Sequence, residues 1–566
     1  MLKGIIANSG YAIGKILKID QQTIDTSKVT IKNIENEISY LHEAIEKTVV
    51  QLEHLKKINA KKFDAETLAI FDAHITIARD PEVISQVEDK IKSESCNLTY
   101  AIRFVVDSIL ELFKDIQDEY IRQRASDLLE VSDRIIKNHL NIQMIDIQNI
   151  EHKVILAAHE ITASEAAQIN PKYILGIISE AGGKNSHSSI IARLLGIPAL
   201  VGVDNLMDTV NDKDQIILDA VDGKLIRSYT KETLLQYKDK YFSFQLEKQK
   251  LKSIKTVRSI TTDGIEVELL ANIGSSKDLT QALDQNAYGV GLFRTEVLFL
   301  DRYEFPSEEE QFLEYKKVLE SFKDKPVIIR TLDVGGDKLL PYLKLPAESN
   351  PALGNRGARL SLSHLDIFKI QIRALLRASH YGYLKVMFPM ISTKDEFMKL
   401  QKIVHQVEKE FKENKILYKP FELGIMIEIP SAAIIADQLA SVCDFFSIGT
   451  NDLIQYTFAA DRLNANLDYL NQPFHPSILR LIHMVTKAAK AHGKKTSVCG
   501  EMASDPLGAC LLIGLGVDEL SMTSSLIPGV KNKILQHNHK QLVLLAEKLL
   551  DAQNEKEVLK TLQKKM

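Results

Sequence analysis

The sequence predicts a multidomain α/β protein: a small α/β domain carrying an inserted helical bundle, followed by a C-terminal (β/α)8 TIM barrel. Three observations carry this. Apolar, strand-like runs punctuated by glycine stand on both sides of a helical stretch, "GIIANSG" and "AIGKILKI" before it and "KVILAAHEI", "ILGIISEAGG", "IPALVGV" and "QIILDAV" after it. The stretch itself, residues 33–141, contains no glycine and repeats its apolar positions at helical spacing. Beyond Thr261, eight strand-like runs alternate with helix-period sequence, the pattern of a barrel of parallel strands. At 566 residues the chain is also too long for a single core.

Taken in order, residues 1–22 and 146–228 supply the α/β domain and residues 23–145 the inserted bundle. Within the bundle, "IENEISYLHEAIEKTVVQLEHLKKI" and "AIRFVVDSILELFKDI" read as amphipathic helices, and "RDPE" at Arg79 marks a break and a helix start. Residues 229–260 form a charged linker helix, "KETLLQYKDKYFSFQLEKQKLKS". Residues 261–566 form the barrel, with strands at "VELLANIG", "GVGLFRTE", "PVIIRTLD", "LKVMFPM", "ELGIMIEIP", "FFSIGTND", "TSVCGEM" and "DELSM". Helices close the chain at "KQLVLLAEKLLDAQNEKEVLKTLQ".

A net charge of −4 gives no bulk basic surface, so neither nucleic acid nor an anionic membrane is expected as a partner. The N-terminus lacks the apolar core of a signal peptide. No run approaches the roughly 20 apolar residues of a membrane span; "ACLLIGLGV" is too short and reads as core. The four cysteines (Cys96, Cys443, Cys499, Cys510) show no CxxC spacing, which argues against a zinc or dithiol site. A cytoplasmic protein with free thiols is the expectation.

In a barrel, functional side chains collect where strands end. Here the second strand ends at Arg294 and Glu296, the third at Arg330 with Asp333 beyond it, the fifth at Glu428, the sixth at Asn451 and Asp452, and the seventh at Cys499 and Glu501. Arg294 and Arg330, with Arg356 and Arg359 in the following loop, offer forked donors to phosphate and carboxylate oxygens. Lys338 in "VGGDK" adds a point charge beside two glycines, and Asn451 and Arg462 complete an anion pocket. Glu428 and Asp452 are hard oxygen ligands suited to Mg2+ that shares substrate oxygens. Cys499 in "VCGE" reads either as packing, like Cys443 and Cys510, or, at a strand end beside glycine and an acidic residue, as a general acid or a nucleophile. The rim reads as a site for a small phosphorylated acid with a divalent metal.

A second centre lies in "GGKNSHSSIIAR". Two glycines allow close backbone approach, and the helix that follows directs free amides outward, which favours an anion. An accessible imidazole there, His187, is a candidate phosphate carrier.

The motifs "GGKNSHSSIIARLLGIPALVG", "GLFRTEVLFLDR", "RTLDVGGDK", "NPALGNRGARL", "MFPMIS", "IGTNDLIQYTFAADR" and "VCGEMASD" are similar, in order and over essentially the whole chain, to enzyme I of the bacterial phosphoenolpyruvate:sugar phosphotransferase system. The resemblance implies transfer of the phosphoryl group of phosphoenolpyruvate to His187 of a swivelling phosphohistidine domain, then to the carrier protein HPr, with release of pyruvate. It implies that Arg294, Arg330 and Arg356 hold phosphate and carboxylate, with Asn451 and Arg462 completing the pocket. By the same resemblance Glu428 and Asp452 bind magnesium, and Cys499 is the general acid that protonates the enolate carbon. The inserted bundle corresponds to the HPr-docking subdomain and the barrel to the homodimerisation unit. Three departures stand out: Lys184 and Asn185 where Arg-Thr is common, Ala166 where threonine is common, and Asn355 where an aromatic is common. ATP-using relatives carry a large ATP-grasp domain before the histidine, and the region upstream of His187 is too short and too helical for one. A purely regulatory phosphoenolpyruvate binder predicts loss of the nucleophile, a metal ligand or Cys499, and all are present.

Overall fold

The apolar runs on either side of the helical stretch assemble into one mixed sheet in the computed structural model of the chain. The structure describes residues 2–19, 24–60, 65–113, 119–142, 147–183, 186–300, 302–336, 340, 342–343, 345–346, 348–462 and 464–566. The chain divides into two units, Met1–Glu247 and Lys248–Met566.

In the first unit the strands are β1 (Leu2–Lys3), β2 (Ile5–Asn8), β3 (Tyr11–Ile19), β4 (Val154–Ala158), β5 (Ile174–Ser179), β6 (Ala199–Val201), β7 (Gln215–Asp219) and β8 (Lys224–Ile226). They lie in the order β1-β8-β7-β3-β4-β5-β6-β2. Strands β3 to β6 pair in parallel, and β2, β7 and β8 add antiparallel edges. Every residue of β4 is buried: Val154, Leu156 and Ala158 join one core and Ile155 and Ala157 the other. A central parallel strand covered on both faces therefore reads as a continuous apolar run, not as an alternation. The sequence did not announce β1 and β8, which are two and three residues long. The β7–β8 turn carried a signal nonetheless: Asp219 accepts the amides of Val221 and Asp222, and Gly223 adopts φ +67°.

Between β3 and β4 lie α1 (Ile34–Asn59), α2 (Ala65–Ala78), α3 (Pro81–Glu94), α4 (Leu98–Phe113) and α5 (Glu119–His139). Helix α1 buries Leu41, Ala44, Ile45, Thr48, Val49, Leu52 and Leu55, one stripe at three- and four-residue spacing. The "RDPE" break is a helix start: Asp80 accepts the amides of Glu82 and Val83, and Pro81, which has no N–H to satisfy, occupies the first turn. The charged helix Lys231–Ser253 follows β8 and runs through the division between the units.

The second unit is a closed barrel of parallel strands: β9 (Glu268–Ile273), β10 (Val290–Arg294), β11 (Pro326–Arg330), β12 (Tyr383–Phe388), β13 (Glu422–Ile427), β14 (Phe445–Ile448), β15 (Lys495–Val498) and β16 (Glu519–Thr523). Strand period dictates its interior. Leu292, Ile328, Met387, Met426, Phe445 and Cys499 form a cluster of their own inside the barrel, while Phe293, Ile329, Phe388, Ile427, Phe446 and Val498 belong to the outer core beneath the helices. At the N-terminal ends Lys495 pairs with Glu268 (3.1 Å) and Glu519 (3.0 Å), and Lys385 with Glu422 (3.0 Å), closing that end with charge. Among the described residues no helix is long and apolar enough to cross a membrane.

Candidate active site

The interior register decides which side chains reach the rim. Two residues on from Leu292, Ile328 and Met426 stand Arg294, Arg330 and Glu428, and two on from Ser497 stands Cys499, all at C-terminal strand ends. They line a cleft of ≈ 840 Å³ together with Asn451, Asp452 and Arg462. Six of the predicted residues therefore do converge with Arg294 on one opening. Arg356 reaches the same cluster from the loop beyond β11, through Asp452.

Arg330 and Arg356 are buried and share an acidic partner. Arg330 Nη2 donates to Glu296 Oε1 at 2.5 Å, and Nη1 lies 3.1 Å from Asp333 Oδ2. Arg356 Nη2 donates to both oxygens of Asp333 at 3.3 Å, while Nη1 donates to Asp452 Oδ1 at 3.2 Å and to the Tyr456 hydroxyl at 3.3 Å. Burial alone disfavours a guanidinium, but Glu296 and Asp333 around Arg330, and Asp333 and Asp452 around Arg356, outweigh it and raise both pKa values. Both Nε–H groups are buried without a hydrogen-bond partner. Buried unpaired donors on two fixed cations are what an anionic ligand would satisfy.

Glu428 accepts the Met390 amide at 2.6 Å. Burial first, then Asp452 and Asp333, push its carboxyl up to about 8. Carboxylates crowded in a dry pocket are short of positive charge, so the residues present fit a divalent cation. Among the described residues no group of three or more His, Cys, Asp or Glu is arranged to hold a metal. Glu428 and Asp452 would therefore leave most of a Mg2+ shell to substrate oxygens and water, the usual habit of that ion.

Cys499 is buried at the cleft floor, receives the Ser447 hydroxyl at 3.4 Å and directs its own S–H toward Ile448 O at 3.7 Å. Burial pushes this thiol up, with Ser447 and Arg330 pulling the other way. A thiol held protonated at neutral pH suits a proton donor better than a nucleophile.

Other residues are placed less directly. The Asn451 amide is engaged with Glu501, donating to Oε1 and accepting the backbone N–H, both at 3.1 Å. Arg462 is exposed at the mouth, its Nη1 4.0 Å from Asp452 Oδ2. Lys338 lies outside the described residues, as do Lys184 and Asn185. Asn355, in place of an aromatic, ties its loop: its amide N–H donates to Glu348 and its side chain to Ser363, at 3.0 Å each, just before Arg356. Tyr456 and Ser447 were not singled out from sequence; Tyr456 donates to Ala352 O at 2.5 Å and so anchors the same loop.

In the first unit His187 is the first residue of the helix His187–Leu195, and its side chain lies outside what is described. Ser186 occupies the N-cap position without capping through its side chain; its hydroxyl donates to Gly183 O at 2.9 Å. Gly182, at φ +100°, makes the turn that brings the chain into this helix. Ala166 is buried at the end of the short helix Ala163–Ala166.

A barrel with arginines and carboxylates gathered on its rim, joined to a domain bearing a helix-start histidine, defines a class, and comparison with known proteins gives the same one. Residues 248–539 match the family "PEP-utilising enzyme, PEP-binding domain", residues 3–124 "PEP-utilising enzyme, N-terminal", and residues 150–223 "PEP-utilising enzyme, mobile domain". Proteins named phosphoenolpyruvate-protein phosphotransferase are similar throughout. That of Priestia megaterium is 41% identical, covering 94% of each chain. That of Staphylococcus carnosus is 40% identical over 98% of this chain and 97% of its own. That of Geobacillus stearothermophilus is 42% identical over 98% of this chain and 96% of its own. The chain belongs to the phosphoenolpyruvate-protein phosphotransferase family and is a phosphotransferase that uses phosphoenolpyruvate.

Proposed function

We propose that this chain performs the first step of a sugar phosphotransferase system: it moves the phosphoryl group of phosphoenolpyruvate to His187, then to the histidine of an HPr-like carrier, and releases pyruvate. The observation that carries the reading is the convergence of Arg294, Arg330, Glu428, Asp452 and Cys499 on one cleft, with the buried guanidinium of Arg356 bonded to Asp452 behind it.

Arg294, Arg330 and Arg356 bind the phosphate and carboxylate, with Asn451 and Arg462 completing the pocket. Glu428 and Asp452 would hold Mg2+, which when bound would supply positive charge against the developing negative charge of the substrate. An imidazole nitrogen of His187 attacks phosphorus in line; the P–O bond to the enol oxygen breaks and its electron pair stays on that oxygen. As the enolate collapses to the ketone, its C3 takes the proton of the Cys499 thiol, giving pyruvate and a thiolate that water reprotonates. Most of the site's contribution is positioning and charge neutralisation. We assign the inserted helices α1–α5 to carrier docking, the barrel to homodimerisation and the cytoplasm as the compartment.

The test mixes protein with phosphoenolpyruvate and Mg2+, without nucleotide, and reads acid-labile phosphate by intact mass. The parent chain gains one phosphoryl group and His187→Ala gains none; adding an HPr-like carrier discharges the label. A folded parent that stays unlabelled would sink the reading.

A further inference from the structure

Cys499 sits in a cage of side chains from neighbouring barrel strands. Asn272 on β9 donates its amide to the Cys499 carbonyl at 3.1 Å, and Ser521 on β16 fixes Asn272 by donating to its Oδ1 at 2.6 Å. A Cβ on the next residue, Gly500, would collide with Thr450, so the thiol's loop packs directly on the helix Thr450–Phe458 that bears Asp452. These contacts fix the backbone. Ser447, fully buried on β14, acts at the sulfur itself: its hydroxyl donates to Sγ at 3.4 Å. Flanked by Phe446 and Ile448, which face the outer core, it is a polar group on an inward position where barrel strands ordinarily place apolar ones.

We propose that Ser447 is a positioning residue for the proton-transfer half of the reaction, fixing the Cys499 sulfur and stabilising the thiolate left when the S–H proton has moved to substrate C3. The inference rests on Cys499 being the proton donor. As the S–H bond breaks and the C3–H bond forms, negative charge appears on a largely buried sulfur. A fixed O–H donor is worth most there, because it strengthens as its acceptor becomes an anion. The charged groups that act on the sulfur are Arg330 on β11 and Arg294 on β10, which favour the thiolate, and Glu428 beyond β13, which opposes it. Ser447 touches it.

The test compares Ser447→Ala, Ser447→Thr and Cys499→Ala in the full chain with Mg2+ present. Ser447→Ala is expected to leave the KM for phosphoenolpyruvate and the final yield of phosphorylated His187 unchanged, while pyruvate formation slows about tenfold, as loss of one hydrogen bond to a charged group predicts. Alkylation of Cys499 by iodoacetamide should shift to higher pH in the same variant. Ser447→Thr, which keeps the hydroxyl, should restore both. Parental pyruvate formation and an unmoved alkylation profile in Ser447→Ala, with Cys499→Ala still slow, overturn the role of Ser447 alone. Parental pyruvate formation in Cys499→Ala overturns the proton-donor reading, and the role of Ser447 falls with it.

Discussion

Arg356 shows why the identity of a cation matters in this site. It meets two carboxylates from different segments: Nη2 reaches Asp333 at 3.3 Å and Nη1 reaches Asp452 at 3.2 Å. Only a planar fork does both; an ammonium is a single point of charge. Arg356→Lys is therefore expected to raise the KM for phosphoenolpyruvate about 10- to 100-fold, the equivalent of one or two lost charge-assisted hydrogen bonds, with a smaller effect on kcat. Steady-state pyruvate formation measures it, and an unchanged KM would show that the fork is not used. The charged half of this site was legible in the sequence because arginines, carboxylates and a cysteine fell repeatedly at the ends of apolar runs. Ser447 and Asn272 were not, because a small polar residue inside "FFSIG" or "LLANIG" is indistinguishable from packing until the strand register is known. Tyr456 lay hidden for another reason: its role depends on a loop more than a hundred positions earlier in the chain, which no local pattern records.

Elements were read with similar unevenness, and chain-local physics explains it. Most barrel strands, such as β11 and β13, read as apolar runs because they are covered by helices outside and by neighbours within, whereas β15 (KTSV) and β16 (ELSMT) carry buried threonine and serine. Strands β1 and β8, two and three residues long, carry too few residues for any period to emerge, while the equally short β6 was readable inside the apolar run "IPALVGV". Helix starts are local, and one of them gives a pH test. Ser307 and Glu310 form a capping box on the helix Glu308–Phe322: the Ser307 hydroxyl accepts the Glu310 amide, and the Glu310 carboxylate accepts both the N–H and the O–H of Ser307 at 2.8 Å. These bonds from Ser307, with Arg302 next, lower the Glu310 carboxyl to about 2. A depressed folded-state value means that the contribution to stability is fully present above the ordinary carboxylate range, roughly 4.3, and is lost as pH falls toward about 2. Glu310→Gln should therefore lower the thermal midpoint modestly at pH 7 and lose less than the parent between pH 4.5 and 2. Thermal melts across that range decide it; parallel acid profiles for the two proteins would remove the carboxylate from the account. The group is largely solvent-facing, so the effect should also shrink in high salt.

At the scale of the whole chain, the reaction proposed here divides its parts between two separately folded units. The groups assigned to phosphoenolpyruvate binding belong to Lys248–Met566, and His187 belongs to Met1–Glu247. In-line transfer requires nitrogen and phosphorus to come within about 3–3.5 Å of each other. Delivery to a carrier requires the phosphorylated imidazole to be open to a second protein. One fixed arrangement of the two units cannot meet both demands, because a site closed against water for the first step excludes a protein partner in the second. A chemical cross-link that freezes the units against one another should therefore leave phosphoenolpyruvate binding within a few-fold of the parent and abolish one half-reaction. A pose that blocks charging gives no phosphorylated His187, and a pose that permits it leaves the label unable to discharge to a carrier. The measurement pairs intact-mass labelling with carrier discharge on the same cross-linked sample, using a reductively cleavable linker so that reversal restores the missing half. If both half-reactions run at parental rates while the link is intact, the units need not move, and turnover must be limited by the chemistry on the rim.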